Sequence, residues 1–228
     1  MKSIDFINKR VLWLIVALFA LSIPQVWAAN QTYTLVAQGD LSSLTTSDKV
    51  LIVGNDGSSN YYALKNQQMT SNSNLPTTSV TITSNTITAD LEDDYTWTLD
   101  FKENQTIGGN SYPSFYVKST AGNYYLSNSG NIGSIVNTKN ATDNYNVWAI
   151  GYQGSFTNKN GTYYVTGLYN IGCSRMLVYY SSDWRCYASS NWNNVGDHVV
   201  QIYKMQTASC GSATPSATGT ASLNGSVL

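Results

Sequence analysis

The feature that most limits what this chain can fold into is a pattern of short apolar and aromatic runs that recurs three times. Each copy holds two β-like runs and then a run centred on a large residue, and the copies are roughly 50 residues apart. A single unit of this size could not bury its own apolar face, so the pattern predicts three units that pack together. The runs are 51–53, 62–64 and 97–99 in the first copy, 115–117, 124–126 and 148–150 in the second, and 163–165, 176–178 and 201–203 in the third.

Composition and turn signals both indicate an all-β chain. The sequence has 17 tyrosines and only 11% charged residues, and aromatic residues favour the half-buried surface of a strand. Asn-Asp-Gly at 55–57 and Ser-Asn at 84–85 lie between strand-like runs and therefore predict hairpins. No window beyond the N-terminal segment has the period of about 3.6 residues that marks an amphipathic helix.

Three β units of this size predict a β-trefoil-like closed barrel. Closure removes the exposed sheet edges that invite aggregation, and each of the three ~50-residue units would supply about four short strands. The alternative is a β-sandwich, which also produces short strands at regular spacing. The sequence predicts an all-β fold in either case.

The N-terminal segment 1–28 has the pattern of a secretory signal peptide. Basic residues within the first ten positions come before the apolar run 11–23, which is shorter than the roughly 20 residues that a spanning helix needs. Small Ala28 follows as the expected cleavage position. We expect a mature chain that is secreted, extracellular or on the cell surface and has no membrane span; an uncleaved N-terminal anchor is the alternative.

The rest of the chain divides into one domain and a tail. Residues 29–205 are expected to form a single all-β domain, and 206–228 a flexible Ser/Ala/Gly/Thr-rich tail or linker. A chain that ends in such a segment leaves room for a further domain C-terminal to the tail. The formal net charge is −1 and no basic stripe is present, which argues against nucleic acid as a partner.

Seven short motifs follow one another along the chain, at 33–36, 40–41, 48–53, 148–150, 175–179, 186–187 and 200–204. In their order and spacing they resemble an accessory module of secreted multidomain proteins of Bacteroidota. The resemblance implies a secreted bacterial protein with neighbouring domains, and it brings no settled biochemical activity. Thr46-Ser47 departs from the module, which has a glycine-containing turn there. Similarity to β-trefoil lectin-like domains is weaker, since the Q-x-W signature is missing at 201–203.

The sequence offers no catalytic constellation, so we expect a protein that is not an enzyme. His198 is the only histidine, and no G-x-S-x-G motif is present to expose a nucleophilic serine. The acidic residues at 90–94 lack the spacing of a calcium loop. We therefore predict no catalytic residues, no metal site and no cofactor.

Aromatic and amide side chains are concentrated between positions 179 and 192. Sugars present apolar C–H faces to aromatic rings and hydroxyls to amides and carboxylates, so the stretch predicts a carbohydrate-binding surface. Turn-like surroundings lead us to expect that Trp184 and Trp192 are exposed; the alternative is that the rings fill the core. The candidate ligand-binding residues are Tyr179, Asp183, Trp184, Tyr187, Asn191 and Trp192.

Cys173 and Cys186 flank an apparent hairpin and are a candidate disulfide, because secretion permits such bonds. The alternative is two reduced cysteines that pack as small apolar residues. Cys210 lies beyond the last predicted strand. Two functions remain: a secreted non-catalytic module that binds carbohydrate or a cell-surface glycan, and an adhesion or protein-interaction scaffold module of a larger secreted protein. The discriminating observation is whether the rings of the third unit share an exposed concave face.

Overall fold

The computed structural model describes residues 30–68, 75–128, 136–140, 142–158, 161–195 and 197–207. Within these ranges the chain forms fourteen strands and a few short helical turns. The predicted signal peptide and residues 208–228 of the predicted tail, with Cys210, lie outside the described residues. No helix in the described ranges is both long and apolar enough to cross a membrane.

The strands follow one another along the chain with short connections. The strands before position 108 are β1 Gln31–Leu35, β2 Val50–Asn55, β3 Tyr61–Leu64, β4 Thr77–Val80, β5 Thr86–Ala89 and β6 Trp97–Ile107. The later strands are β7 Asn110–Ser119, β8 Tyr125–Asn128, β9 Val136–Lys139, β10 Val147–Asn158, β11 Gly161–Asn170, β12 Arg175–Tyr180, β13 Asp183–Tyr187 and β14 Val200–Met205. The helical turns are the 3-10 helices Gln38–Ser43, Asn144–Asn146 and Ser189–Asn194 and the α-helix Glu92–Tyr95.

The described strands join in one sheet, which confirms the all-β prediction. Their order is β13-β12-β11-β10-β7-β6-β2-β14-β1-β5, with β3 and β4 branching from β2 and β8 and β9 branching from β7. Each of the three units contributes one short hairpin, namely β3–β4, β8–β9 and β12–β13. In each hairpin the two strands pair antiparallel, as expected for strands joined by a short loop.

The sheet does not close into a barrel, so the closed β-trefoil-like barrel is not supported and the alternative, a β-sandwich, fits. β11 and β14 meet only through an isolated bridge between Thr166 and Val199. Beside this bridge Gly167 has a φ of 154°, and a Cβ there would lie 2.8 Å from Cβ of Val200. Gly151, with a φ of 74°, lies where β10 shifts its register. Gly167 therefore lies at the seam itself, and Gly151 lies in the neighbouring β10–β11 ladder.

The threefold recurrence of the sequence is visible as a repeated contact. Trp97 donates a hydrogen bond from Nε1 to the carbonyl oxygen of Leu64 at 3.2 Å. Trp148 makes the same contact with the carbonyl oxygen of Leu126 at 3.0 Å. Both indoles are fully buried, so each fills the core while its only polar atom finds an acceptor.

β2 lies at the centre of the molecule and is buried on both faces. Val50 and Ile52 belong to the central apolar cluster, which also contains the two repeated tryptophans. Leu51 and Val53 belong to a second cluster that lies beneath β1 and β5. Alternate side chains of β2 therefore enter two different apolar clusters, and neither face of this strand is open to solvent.

β1 and β5 form the outer layer over this second cluster. Tyr33 pairs with Ile87 across the two strands, and both side chains are buried. The predicted turn at 84–85 is confirmed: Ser84 and Asn85 have φ of 49° and 62°, and Thr83 and Thr86 exchange two backbone hydrogen bonds of 2.9 Å. Positive φ at both central residues is typical of a two-residue hairpin turn.

Candidate functional site

The residues predicted to bind a ligand in the third unit are mostly buried. Trp184 is 0% exposed, Tyr179 3% and Trp192 3%, so the prediction that Trp184 and Trp192 are exposed is wrong. The register of β12 and β13 explains why two of these side chains are buried. Tyr179 lies opposite Trp184, and both rings point into the central cluster. A Cβ at Gly54 would lie 2.9 Å from Cη2 of Trp184, which shows how closely β2 packs on this ring.

Trp192 is buried by a different element. It lies in the 3-10 helix Ser189–Asn194, which covers the outer face of β12, where it packs with Met176 and Val178. Its Nε1 donates to the carbonyl oxygen of Tyr187 at 3.2 Å. A Cβ at Gly154 would overlap the Trp192 ring, so no face of this indole is open to a sugar.

The remaining predicted residues do not assemble a concave surface. Asp183 is 7% exposed and accepts a hydrogen bond from Nε of Arg185 at 2.9 Å. Tyr187 is half-buried, with its ring 5.7 Å from the ring of Tyr180. Asn191 is exposed. Four of the six candidates, Tyr179, Asp183, Trp184 and Trp192, are therefore buried, in line with the alternative that the rings fill the core.

The candidate disulfide is not formed in this structure, where Cys173 and Cys186 are both free thiols. Sγ of Cys173 donates to Oδ1 of Asn170 at 3.1 Å. Burial raises the pKa of the Cys173 thiol to about 11. Burial, and then the charge of Cys173, raises the pKa of Cys186. Both groups therefore remain protonated at neutral pH, where neither is a nucleophile.

His198 has a packing position. The side chain is 6% exposed, and a Cβ at Gly57 would lie 2.8 Å from its Cε1 atom. Asn55, the last residue of β2, contacts the segment beside His198, since its Oδ1 accepts a hydrogen bond from the backbone N–H of Val199 at 2.7 Å. In the described part of the chain, no group of three or more His, Cys, Asp or Glu side chains could hold a metal ion.

A small cleft of about 200 Å³ opens where the sheet fails to close, and we call it the seam cleft. Its walls are mainly apolar, with Leu41 and Ile150 among them. Gln38 closes one side by donating from Nε2 to the carbonyl oxygen of Gly151 at 3.0 Å. Its walls offer few hydrogen-bonding side chains, so we read it as the gap at the seam.

A second cleft, of about 290 Å³, is lined by residues of a kind that can hold a sugar, and we call it the hairpin cleft. It lies between the turn that follows β2 and the paired strands β3 and β4, where Tyr61 lies opposite Val80 and Tyr62 opposite Ser79. No charged side chain lines it. The lining residues are Ser59, Asn60, Tyr61, Tyr62, Ser79, Val80, Thr81 and Ile82.

The turn beside the hairpin cleft is held by Asp56. Its carboxylate accepts from the backbone N–H of Ser58 at 3.1 Å and from Nδ2 of Asn60 at 3.1 Å. Hydrogen bonds from the Ser58 hydroxyl and then from Asn60 lower the pKa of Asp56. Asn60 is exposed, and the Asp56 carboxylate holds its Nδ2, so the protein orients this amide beside the cleft.

The two tyrosines of the cleft are fixed by rings behind them. The ring of Tyr62 stacks on the ring of Tyr179, with centroids 4.2 Å apart and an angle of 29°. Tyr61 packs against the second cluster. Burial, and then the charge of the neighbouring Tyr61, raises the pKa of Tyr203 to about 12. Tyr61 and Tyr62 are both half-buried, so each keeps some open surface.

Sequence reasoning missed this cleft because it treated Tyr61 and Tyr62 only as strand residues. One signal was present: two adjacent tyrosines in a strand must point to opposite faces, so they cannot both enter the same core. Another was the polar run 58–60 directly before them. The contribution of Ser79 and Thr81 from the next strand could not be read without the β3–β4 register.

A third cleft, of about 350 Å³, adjoins the hairpin cleft and is lined by four threonines. Thr81 lines both clefts, so they form one continuous polar surface. The other three threonines are Thr83, Thr86 and Thr88 on the β5 hairpin.

Comparison of the chain with protein families and with curated proteins finds no match.

Proposed function

We propose that this protein is a secreted, non-catalytic binding module for carbohydrate or a cell-surface glycan, and that the ligand binds in the hairpin cleft. The observation that carries the proposal is the lining of that cleft, which combines Asn60, hydroxyl-bearing residues and two tyrosines with the apolar Val80 and Ile82 and includes no charged residue. Sugar rings offer apolar C–H faces and hydroxyl groups, and these match tyrosine rings and uncharged hydrogen-bonding groups.

The rigidity of the cleft supports the proposal. Asp56 holds the turn that presents Asn60, and Tyr179 supports the ring of Tyr62 from behind. A site that is ordered before binding loses less conformational entropy when the ligand arrives. A shallow polar site can then bind a small ligand that offers little apolar area.

The alternative of an adhesion or protein-interaction module has less support. Protein interfaces have an apolar core that is rich in aromatic residues. Phe101, at 50% exposure, is the large hydrophobic side chain exposed on the described surface, and a single exposed residue of this kind is normal. The surface of the hairpin cleft instead has the uncharged polar character that suits a sugar.

The setting of the module remains a proposal from the sequence. The predicted signal peptide supports secretion, and the resemblance to the Bacteroidota accessory module supports a place beside other domains. Neither feature identifies the glycan.

A glycan array with the purified protein tests the proposal. Asn60→Ala should weaken any binding, because it removes the oriented amide of the cleft. Asn191→Ala is the matched control: this asparagine is also exposed, but it does not line the hairpin cleft. Binding that is lost in the Asn191 variant and kept in the Asn60 variant would contradict the proposed site, and a folded protein that binds no glycan would contradict the function.

A further inference from the structure

Six threonines form two rows on the outer layer of the protein, and we call this surface the threonine face. They come from three neighbouring segments: β1, β5 and the segment that follows β4. All six are exposed or half-buried. They are Thr32, Thr34, Thr81, Thr83, Thr86 and Thr88.

The strand register places these side chains in rows. Thr88 lies opposite Thr32, and Thr86 lies opposite Thr34. Thr86 is also bridged to Thr83 on its other side. Residues directly opposite one another in an antiparallel pair share a face, so one row crosses all three segments and the other crosses at least β1 and β5.

The residues between the rows point the other way. Tyr33 and Ile87 alternate with the threonines and are buried at 0% and 1% exposure. Neighbouring strands lie about 4.8 Å apart, and alternate residues of one strand about 6.6 Å apart. The threonine face is therefore a regular array of hydroxyl and methyl groups on a surface whose lower side is firmly packed.

Threonine is a good strand former, and this accounts for one or two of these residues on an outer sheet. It does not by itself account for six threonines arranged in two rows. Outer strands are commonly protected by lysine and other charged residues. Here charges stand at the edge of the rows: Lys204 lies opposite Thr34, with its Nζ paired with Oδ1 of Asp48 at 2.8 Å, and exposed Asp90 follows β5.

The threonine face is continuous with the hairpin cleft. Thr81 lines both the hairpin cleft and the neighbouring cleft of about 350 Å³. A ligand seated against Tyr62 and Asn60 therefore meets hydroxyl groups where it leaves the cleft. An isolated terminal sugar would not use this surface, but a chain of sugars would.

We propose that the ligand is a linear, neutral polysaccharide chain, which enters the hairpin cleft and continues across the threonine face. This inference rests on the proposed function and adds the class of glycan to it. We expect a neutral polysaccharide because the linings of the two clefts contain no charged side chain that could pair with a sugar acid. The charge of a sugar acid would lose hydration there without gaining a partner.

The twist of the sheet favours a single polysaccharide chain as the ligand over the flat surface of a crystalline solid. Neighbouring strands are rotated by roughly 20–25° on average. Across three segments the two rows turn away from one plane, so a planar lattice such as ice or a crystalline polymer contacts only part of them. A soluble chain bends at its glycosidic bonds and can follow the rows.

The test is titration calorimetry with soluble neutral oligosaccharides of β-1,4-glucan, β-1,3-glucan, mannan and xylan, each from disaccharide to hexasaccharide. For the glycan that binds, affinity should rise by about tenfold with chain length, since two added hydrogen bonds are sufficient for that gain. The double variant Thr83→Val and Thr88→Val should lose this gain and keep its affinity for the disaccharide. Valine has the shape of threonine and suits a strand, so the fold is maintained.

Thr106→Val is the matched control, because Thr106 is an exposed strand residue of β6 outside both clefts. Affinity that does not change with chain length, while Asn60→Ala still weakens binding, would overturn the linear-chain inference and leave the proposed function standing. Binding of ice or crystalline cellulose without binding of any soluble chain would also overturn it. If no neutral oligosaccharide binds but an acidic glycan on the array does, this inference fails and the proposed function stands. If no glycan of either kind binds, both fail.

Discussion

The ring of Tyr62 stacks on the ring of Tyr179, with their centroids 4.2 Å apart. The first belongs to the hairpin cleft, and the second was predicted to bind ligand in the third unit. Tyr179 also meets Trp184 edge to face at 5.5 Å, so the cleft of the first unit rests on the aromatic packing of the third. A residue chosen as a contact for sugar thus supports the proposed site from inside.

Replacing Tyr179 should affect stability and binding together. Tyr179→Ala removes the ring behind Tyr62 and should lower the free energy of unfolding by about 3–5 kcal/mol, as for other large aromatic side chains in cores. Tyr179→Phe keeps the stack and should stay within about 1 kcal/mol of the parent protein. Urea denaturation measures both. Equal stability of the alanine variant and the parent would contradict the packing role.

Asp56 should control the hairpin cleft through the turn. Asp56→Ala frees Asn60, and ligand affinity should fall roughly fivefold, because re-ordering a loosened side chain costs about 0.5–1.5 kcal/mol. Asp100→Ala changes an exposed carboxylate of β6 and is the control. Calorimetry with the glycan that binds gives both values. A similar loss in the two variants would indicate a general effect of charge.

The pH dependence of ligand affinity should follow the titration of the Asp56 carboxylate. The pKa of Asp56 is lowered in the folded protein, so the carboxylate stabilises the turn fully above its ordinary value near 3.8. This contribution is lost as the pH falls through the lowered pKa. Affinity should therefore be constant from neutral pH to about pH 4 and decline only below it. A decline that begins near pH 6 would show that another group controls binding.

Trp97 and Trp184 offer a comparison of two buried indoles. Nε1 of Trp97 donates to Leu64, whereas Nε1 of Trp184 is buried without a partner among the described residues. Phenylalanine at either position leaves a similar cavity, but only Trp97→Phe also loses a hydrogen bond. Trp97→Phe should therefore be less stable than Trp184→Phe by about 1 kcal/mol. The opposite order in chemical denaturation would mean that Trp184 has an acceptor or a bound water.

Alkaline pH should destabilise the fold through the thiol of Cys173. Burial raises its pKa from 9.0 to about 11, so in this interval the unfolded chain releases a proton that the folded protein retains. The folded state then binds more protons, and stability falls as the pH rises from 9.0 to about 11. Cys173→Ala should flatten this part of the stability curve. An unchanged slope would assign the alkaline loss to other groups whose pKa burial raises, among them Cys186 and Tyr203.

The architecture follows to a large extent from local information. Turn residues at 84–85 specify their hairpin because only a few dipeptides accept positive φ at both positions. The spacing of Trp97 and Trp148 predicted equivalent positions, and the two indoles make equivalent hydrogen bonds. The alternation of apolar and polar residues along a strand and the residue preferences of a turn both depend on neighbouring residues. They can therefore be predicted from the sequence alone.

The sequence determined the strands, their hairpins and the recurrence of the units, whereas tertiary structure decided which faces are covered. Trp184 is buried because Gly54 and Tyr179 close over it, and no local signal reports a contact with so distant a part of the chain. The sheet stays open at the seam, where an isolated bridge joins Thr166 to Val199 in place of a ladder between these distant parts of the chain. The hairpin cleft exists because the β3–β4 register brings Ser79 beside Tyr62. Burial and the assembly of a site depend on non-local contacts, which form only when the whole sheet is in place.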